Sequence, residues 1–267
     1  MSVILHASDP HFGTERPEVA EALRRLSYTQ QLNLLVFSGD ITQRARARQF
    51  SAARRFVDRL RIPHVLAIPG NHDIPLFNVA ARAFAPYRGY REVFGHNLEP
   101  VLQSPDVLII GVRTTRRYRH IQGDVSRRQQ QQVADRLRQA RPGQLRIVVT
   151  HQPVHVTREE DRKNLLRGHE QAVESWLKAG ADLILGGHIH LPFIAPLTHA
   201  GRQGWAVQAG TALSTRVRAG INNSVNLIRY QPQTPDVCQV ERWDFEEGTG
   251  AFVRVDSQTL ARNLPPR

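Results

Sequence analysis

The chain has 267 residues, and its 36 lysine and arginine residues outnumber 24 acidic ones to give a formal net charge of +12. This length is enough for one α/β domain with a sizeable core. The single cysteine, Cys238, excludes an internal disulfide framework. Because no apolar stretch approaches the ~20 residues of a membrane span, and no secretory signal pattern opens the chain, we expect a cytoplasmic protein.

Short apolar runs alternate with longer amphipathic segments over much of the chain. Apolar runs of this length are typical of buried strands, and the amphipathic segments are typical of helices, so the alternation predicts an α/β fold. The predicted strands are Val3–Ala7, Leu34–Phe37, Val65–Ile68, Asp106–Val112, Ile147–Val149 and Leu183–Leu185. The predicted helices are Pro17–Gln30, Arg46–Leu60, Ser126–Ala140 and Asn164–Ala179.

The pattern changes after Pro192, where consecutive strands without helices are predicted. These strands are Phe193–Leu197, Gly204–Gln208, Val225–Arg229 and Val237–Asp244. A mixed pair of sheets flanked by helices fits this order. No linker or internal repeat divides the chain, so we expect a single domain over residues 1–267, of which residues 260–267 form a frayed or extended tail. No sequence feature indicates an oligomeric state.

Polar residues follow five of the predicted strands at the point where each strand ends. They are Asp9 and His11, then Asp40, then Asn71, His72 and Asp73, then His151, and finally His188 and His190. Ligands of open α/β sheets bind where the carboxyl ends of strands meet, so we expect these side chains to converge. Each motif alone is more typical of a turn or a strand end, whereas the ordered set indicates a functional site.

The expected cluster has the composition of a metal site. Carboxylate, amide and imidazole groups together suit Mn, Fe, Zn or Co. Residues two apart on an extended segment project to the same side, so Asp9 and His11 are expected to bind one ion. The same spacing lets His188 and His190 face one cavity, each toward a different ion. Asp40 follows a glycine and is expected to bridge two divalent ions about 3.5–4 Å apart.

The order D-x-H, G-D, G-N-H-D, H and G-H-x-H resembles the calcineurin-like metallophosphoesterase superfamily, from Val3 to about Leu213. The resemblance implies a four-layer α/β/β/α sandwich with two mixed β-sheets. It also implies a ligand set for each of two metals. The first metal would be bound by Asp9, His11, Asp40 and His190. The second would be bound by Asp40, Asn71, His151 and His188.

Differences between the motifs of this chain and those of particular subgroups narrow the choice of subgroup within the superfamily. Phosphoprotein phosphatases carry G-D-x-x-D-R-G and G-N-H-E, but this chain has Gln43-Arg44-Ala45 in the first motif and Asp73 at the end of the second. Lipid A pathway pyrophosphatases usually have arginine in place of His72. The chain is therefore most similar to bacterial class III cyclic-nucleotide phosphodiesterases. This similarity implies a small phosphodiester substrate.

The resemblance also implies how the residues act. Hydrolysis would proceed directly at the two metals, without a covalent enzyme intermediate. His72, which is not a metal ligand in the family, would face the substrate and protonate the leaving oxygen. Asp73 is the expected carboxylate that orients His72. We predict that both are catalytic.

Two alternatives stay open. The basic charge is consistent with a DNA or RNA nuclease of the same superfamily. Against it, the arginines of residues 44–61 are interleaved with apolar residues in a helical pattern, which is typical of a solvated helix face. The second alternative, a non-catalytic scaffold on this fold, is less favoured because every expected ligand position is filled. Nucleic acid is thus a possible partner but not the favoured one.

Overall fold

The computed structural model of the chain describes residues 1–218 and 220–262. The strands, in chain order, are β1 (Ser2–Ala7), β2 (Leu34–Phe37), β3 (His64–Ala67), β4 (Val101–Gln103), β5 (Val107–Gly111), β6 (Leu145–Val149), β7 (Leu183–Gly186), β8 (Phe193–His199), β9 (Arg202–Gln208), β10 (Ser224–Tyr230), β11 (Val237–Glu246) and β12 (Ala251–Ala261). The α-helices are α1 (Pro17–Thr29), α2 (Ala47–Leu60), α3 (Val79–Phe84), α4 (Arg88–Phe94), α5 (Arg127–Arg138) and α6 (His169–Lys178). Two 3₁₀ helices are Asn71–Asp73 and Glu159–Asn164.

The strands form two six-stranded mixed sheets. The first sheet has the order β12-β11-β10-β1-β2-β3, in which β1, β2 and β3 are parallel. The second has the order β4-β5-β6-β7-β9-β8, in which β5, β6, β7 and β9 are parallel. Because the carboxyl ends of parallel strands meet at one edge, each sheet presents a row of loops where side chains from several strands can assemble.

Burial of alternate side chains shows how the sheets and helices stack. Successive residues of a strand face opposite sides of its sheet. Val3 of β1 packs in a cluster with α1 and α2, whereas its neighbour Ile4 packs against the second sheet. Ile147 of β6 lies in that same central cluster, whereas Val148 packs with Trp176 of α6. Three apolar layers therefore separate four structural layers, which confirms the predicted α/β/β/α sandwich.

The apolar spacing predicts that helix α6 begins at Asn164, but the helix begins at His169. Gly168 precedes the helix in a left-handed conformation with a φ of 81°, and residues Glu159–Asn164 form a 3₁₀ helix instead. Leu166 lies in the loop before α6 and its side chain is fully buried. Its distance in sequence from the buried residues of α6 therefore fits a helical period although the backbone there is not helical. The helix prediction was wrong over these residues because burial alone does not report backbone conformation. No helix in the described ranges is long and apolar enough to cross a bilayer.

Four elements were not predicted, namely α3, α4, β4 and β12. The two helices and β4 are short, from three to seven residues, so no period is established within them. Strand β12 has a largely exposed run of polar residues at the edge of the first sheet. It pairs along most of its length with β11, including Leu260 opposite Cys238.

The predicted tail is partly incorporated in the fold. Leu260 and Ala261 end β12, and Arg262 is buried although it follows the strand. The Arg262 guanidinium donates hydrogen bonds to the Asp182 carboxylate at 2.9 Å and to the Tyr230 hydroxyl at 2.7 Å. Residues 260 and 261 are therefore extended and packed in the sheet and not frayed, and Arg262 is held by its ion pair with Asp182. Residues 263–267 lie outside the described residues.

We expect Arg262→Ala to lower the free energy of unfolding by about 3–5 kcal/mol, because it would leave the Asp182 carboxylate buried without its partner. The matched control is Arg254→Ala on β12, whose guanidinium is half exposed and whose partner Glu241 keeps its ion pair with Arg229, so the loss should be less than about 1 kcal/mol. Urea denaturation of the three proteins measures both effects. Equal, small losses in the two variants would show that the chain end is dispensable.

Candidate metal centre

The structure brings the seven predicted metal ligands together at the carboxyl ends of five strands. Asp9 and His11 follow β1, Asp40 follows β2, and Asn71 follows β3 in the first sheet. The second sheet contributes the remaining three from the ends of β6 and β7. These are His151, His188 and His190. Residues from both sheets are therefore needed to complete the site.

The backbone at these residues is not extended, which corrects one step of the sequence argument. Asp9 and His11 have φ angles of 50° and 44°, and His188 and His190 have φ angles of 73° and 54°. With Asp40, these make five of the nine non-glycine residues of positive φ in the described ranges. Such conformations are uncommon outside glycine and cluster at functional sites. The side chains meet because the chain turns sharply after each strand.

One half of the centre consists of Asp9, His11 and His190. The Nε2 atoms of His11 and His190 are 3.1 Å apart, and Nε2 of His190 is 3.3 Å from Oδ1 of Asp9. The Nδ1 of His190 donates to the backbone carbonyl of Arg216 at 2.6 Å. This bond leaves Nε2 of His190 free to bind a metal.

The other half consists of Asp40, Asn71, His151 and His188. The His151 Nε2 atom is 3.1 Å from Oδ1 of Asn71 and 3.3 Å from Oδ1 of Asp40. His188 offers a ligand atom within 4.8 Å of those of Asp40 and His151. The second carboxylate oxygen of Asp40, Oδ2, is 3.9 Å from Nε2 of His11 in the first half. Asp40 thus faces both halves, as a bridging ligand would.

The electrostatics of the cluster show a shortage of positive charge. Burial lowers the pKa of His11 to about 3 and that of His188 to about 4, so both imidazoles are neutral. Burial opposes protonation of His151 as well, but the Asp40 carboxylate raises the pKa of His151 to about 9. Likewise, Asp9 raises the pKa of His190 despite its burial. Each buried carboxylate therefore favours the protonated form of one histidine.

The donor set fits two divalent metals. Ligands about 2.1 Å from a shared ion lie roughly 3.0–3.4 Å apart, and several pairs of atoms here have that spacing. Oδ1 of Asp9 is buried and has no hydrogen-bond partner among the described residues. The His151 ring donates its Nδ1 hydrogen to the Ser38 carbonyl at 2.8 Å, which is the usual support of a metal-binding histidine. Asp9, His11 and His190 would hold one ion, and Asn71, His151 and His188 the other, with Asp40 shared.

Two glycines allow the loops to approach this closely. A Cβ atom on Gly70 would lie 2.0 Å from the backbone nitrogen of Asp40, and one on Gly187 would lie 1.9 Å from Oγ of Ser8. Any larger residue would push the Asn71 loop or the His188 loop away from its neighbour. The glycines of the G-N-H-D and G-H-x-H motifs are therefore steric requirements of the cluster.

The structure corrects the expectation that Asp73 orients His72. The buried Asp73 carboxylate accepts hydrogen bonds from the backbone nitrogens of Ile41, Thr42 and Gly70 and from the Thr42 hydroxyl, at 2.7–3.0 Å. Burial and the nearby Asp40 carboxylate raise its pKa above the usual value. Asp73 thus ties the Asp40 loop to the Asn71 loop and does not contact the His72 ring.

His72 is oriented by a backbone carbonyl instead. Its Nδ1 donates to the carbonyl of Gln43 at 2.9 Å, so Nε2 is the atom turned toward neighbouring groups. Nε2 is 3.9 Å from Oδ2 of Asp40 and accepts from Nη1 of Arg216 at 3.1 Å. The ring also lies edge-on to His11, with centroids 4.8 Å apart. His72 therefore stands beside the cluster of ligands.

Gln43 and Arg216 were not predicted as site residues. Gln43 acts through its backbone carbonyl, which every residue carries, so no residue type signals that role. Arg216 lies in a loop between β9 and β10, far along the chain from the other motifs, and belongs to no recognisable spacing. Only its contacts with His72 and His190 place it at the site.

A two-sheet α/β sandwich with a buried cluster of Asp, Asn and His at its strand ends is typical of metal-dependent hydrolases. The family model described as calcineurin-like phosphoesterase matches residues 2–192. The chain therefore belongs to the calcineurin-like phosphoesterase family. No match was found among curated protein sequences.

Solved structures share the fold at low sequence identity. A dimetal phosphatase from Danio rerio is 14% identical with a TM-score of 0.63, covering 98% of this chain and 99% of its own. A purple acid phosphatase from yellow lupin (Lupinus luteus) seeds is 9% identical with a TM-score of 0.70, covering 98% of this chain and 54% of its own. Vacuolar Protein Sorting 29 from Cryptosporidium parvum is 14% identical with a TM-score of 0.53, covering 98% of each chain. These similarities show the fold alone.

We expect the purified protein to contain two divalent transition metals per chain when measured by elemental analysis. Asp40→Asn should lower the content of both metals, because the Asp40 oxygens face both halves of the cluster. Asn71→Ala should deplete one metal only. The control is Asp256→Asn, an exposed carboxylate on β12. Full metal content in Asp40→Asn would contradict the bridging role, and circular dichroism would separate metal loss from unfolding.

Proposed function

We propose that this protein is a metal-dependent phosphodiester hydrolase that acts on small phosphodiesters, with cyclic nucleotides as the favoured class. The observation that carries the proposal is the complete set of seven ligands beside His72. The Nε2 atom of His72 makes no hydrogen bond to a carboxylate among the described residues. Membership of the phosphoesterase family supports the phosphoester chemistry. The similarity of the motifs to cyclic-nucleotide phosphodiesterases supports the substrate class.

The residue at position 43 distinguishes this site from that of phosphoprotein phosphatases. One guanidinium, that of Arg216, contacts His72 in the described structure. Position 43, which is aspartate in phosphoprotein phosphatases, is a neutral glutamine here and holds Arg216 through its Oε1 atom at 3.1 Å. This departure from the phosphoprotein phosphatase motif supports a substrate class other than phosphoproteins.

The chain's own residues would position the substrate and move one proton. When bound, two divalent ions lower the pKa of water and stabilise negative charge on phosphoryl oxygens. The Gln43 carbonyl holds Nδ1 of His72 as a donor, which directs Nε2 toward the leaving oxygen. When protonated on both ring nitrogens and released from Nη1 of Arg216, His72 would deliver its Nε2 proton to that oxygen as the phosphorus–oxygen bond breaks. The product would be a phosphomonoester.

The substrate class is tested with a panel assayed on protein reconstituted with Mn²⁺. The panel contains cyclic nucleotides, bis-nitrophenyl phosphate, nitrophenyl phosphate, a phosphoserine peptide and an oligonucleotide. We expect the two small diesters to be hydrolysed with higher kcat/KM than the monoester or the peptide. An Asp40→Asn preparation identifies activity from contaminants. Preference for the phosphopeptide over every diester would overturn the proposal.

A second candidate, a nuclease of the same superfamily, has one structural observation in its favour. Two highly exposed aromatic side chains, Phe77 and Tyr118, each lie against an arginine at 5.3 and 5.7 Å from the ring centroid. Exposed aromatic rings beside arginines are used to stack bases of single-stranded nucleic acids. Oligonucleotide hydrolysis exceeding that of the small diesters, with salt-sensitive binding, would favour this candidate.

We expect His72→Ala to affect substrates in proportion to how much their leaving oxygen needs a proton. A nitrophenolate leaves readily, whereas a ribose oxygen is a strongly basic alkoxide. General acid catalysis contributes about 10²–10⁴-fold, so the loss of kcat/KM should approach this range for a cyclic nucleotide and be far smaller for bis-nitrophenyl phosphate. Metal content is measured in parallel. Equal losses on both substrates would exclude proton donation by His72.

A further inference from the structure

We propose that Arg216 is a binding residue for the phosphoryl group, contacting a non-bridging oxygen of the substrate and of the phosphomonoester product. This inference rests on the proposed function, since it names a group that recognises the same substrate. Arg216 lies outside residues 2–192, which match the family model. Its role therefore follows from its contacts in this chain.

Only one nitrogen of the Arg216 guanidinium is occupied. Nη1 donates to Oε1 of Gln43 and to Nε2 of His72, both at 3.1 Å. The Nε and Nη2 atoms, which carry three further hydrogens, donate to none of the described residues, and the residue is exposed. A set of donors is therefore available on the solvent side of His72.

The side-chain partners of Arg216, Gln43 and His72, are not carboxylates, so its positive charge has no ion-pair partner among the described residues. Arg218, two residues further along the chain, is by contrast paired with the Asp161 carboxylate at 2.9 Å. No carboxylate lies within ion-pair distance of Arg216 in the described ranges. Its positive charge is close enough to oppose the rise in the pKa of His190. A cation without a carboxylate partner beside a metal centre is a ready site for an anion.

The backbone of Arg216 is fixed to the metal centre. Its nitrogen donates to Oγ of Ser214 at 3.2 Å, and its carbonyl accepts from Nδ1 of the ligand His190 at 2.6 Å. Ser214 is buried and contacts the Thr211 hydroxyl, which donates to the Asp9 carbonyl at 2.5 Å. The side chain therefore starts from a fixed point between two metal-ligand segments.

The residue after next provides a second anchor for the same loop. Nη1 of Arg218 donates to both oxygens of the buried Asp161 carboxylate, at 3.0 and 2.9 Å. It also donates to the carbonyl of Ile189, which lies between His188 and His190. Because the loop is held on both sides, Arg216 needs only rotation of its own side chain to reach a substrate.

The chemistry of the guanidinium fits a phosphoryl group. Its planar fork donates two parallel hydrogen bonds to neighbouring oxygens, and these charge-assisted bonds are among the strongest in proteins. Lysine would retain the charge but lose this geometry. The structure therefore predicts that Arg216→Gln loses phosphoryl binding, whereas Arg216→Lys retains part of it.

Inorganic phosphate is the probe, and calorimetry on Mn²⁺-loaded protein measures its Kd without turnover. We expect Arg216→Gln to weaken phosphate binding about ten- to hundredfold, and Arg216→Lys to lie between it and the unmodified protein. The matched control is Arg128→Gln, which removes the same charge from an exposed position on α5 and should leave Kd unchanged. Metal content and thermal stability should be equal in all four proteins.

Turnover of bis-nitrophenyl phosphate then separates this inference from the proposed function. We expect Arg216→Gln to raise KM by a factor similar to that in Kd, with partial rescue by added guanidinium ion. An unchanged phosphate Kd in Arg216→Gln would overturn the binding role, even if kcat fell through mispositioning of His72. If the unmodified protein hydrolyses no diester but binds phosphate through Arg216, the proposed function fails while the binding role stands.

Discussion

The structure depends on the burial of two carboxylates, Asp9 and Asp40, at one edge of the sheets. A buried carboxylate is costly unless positive charge compensates it. Here the compensation comes from histidines, since His190 and His151 are drawn toward protonation. Divalent ions would replace those protons with a larger charge. The same shortage of positive charge that makes the cluster costly for the isolated chain therefore makes it a strong site for metals.

Strand ends, sharp turns and buried hydrogen bonds hold this cluster in place despite its energetic cost. Strand ends fix where each loop begins, and left-handed residues turn each loop back toward the centre. Asp73 joins two of the loops with four hydrogen bonds, so a residue that was expected to assist catalysis is a structural tie. Gly70 and Gly187 leave the space into which neighbouring ligands pack.

The sequence predicted the fold and the membership of the cluster because both follow from strand ends. Apolar runs followed by Asp, Asn or His place ligands at a sheet edge whatever the local backbone conformation. The wrong assumption that Asp9 and His11 lie on extended backbone therefore did not change which residues were predicted to form the cluster. Features set by backbone groups or distant loops were not predictable. The Gln43 carbonyl has no sequence signature, and Arg216 approaches His72 only after β9 and β10 are placed. Likewise, the buried Leu166 imitated a helical period ahead of α6.

Each half of the ligand set takes side chains from both sheets, and this has a mechanical consequence. The first sheet supplies Asp9 and His11 to one half, and the second sheet supplies His190. The spacing of the ligands is thus set by the thickness of the apolar layer between the sheets, where side chains such as Ile109 and Val36 are fully buried. Close-packed interiors resist compression and sliding. Removing a single methylene from that layer, at a position remote from any ligand, would therefore change the distances between ligand atoms of the two sheets.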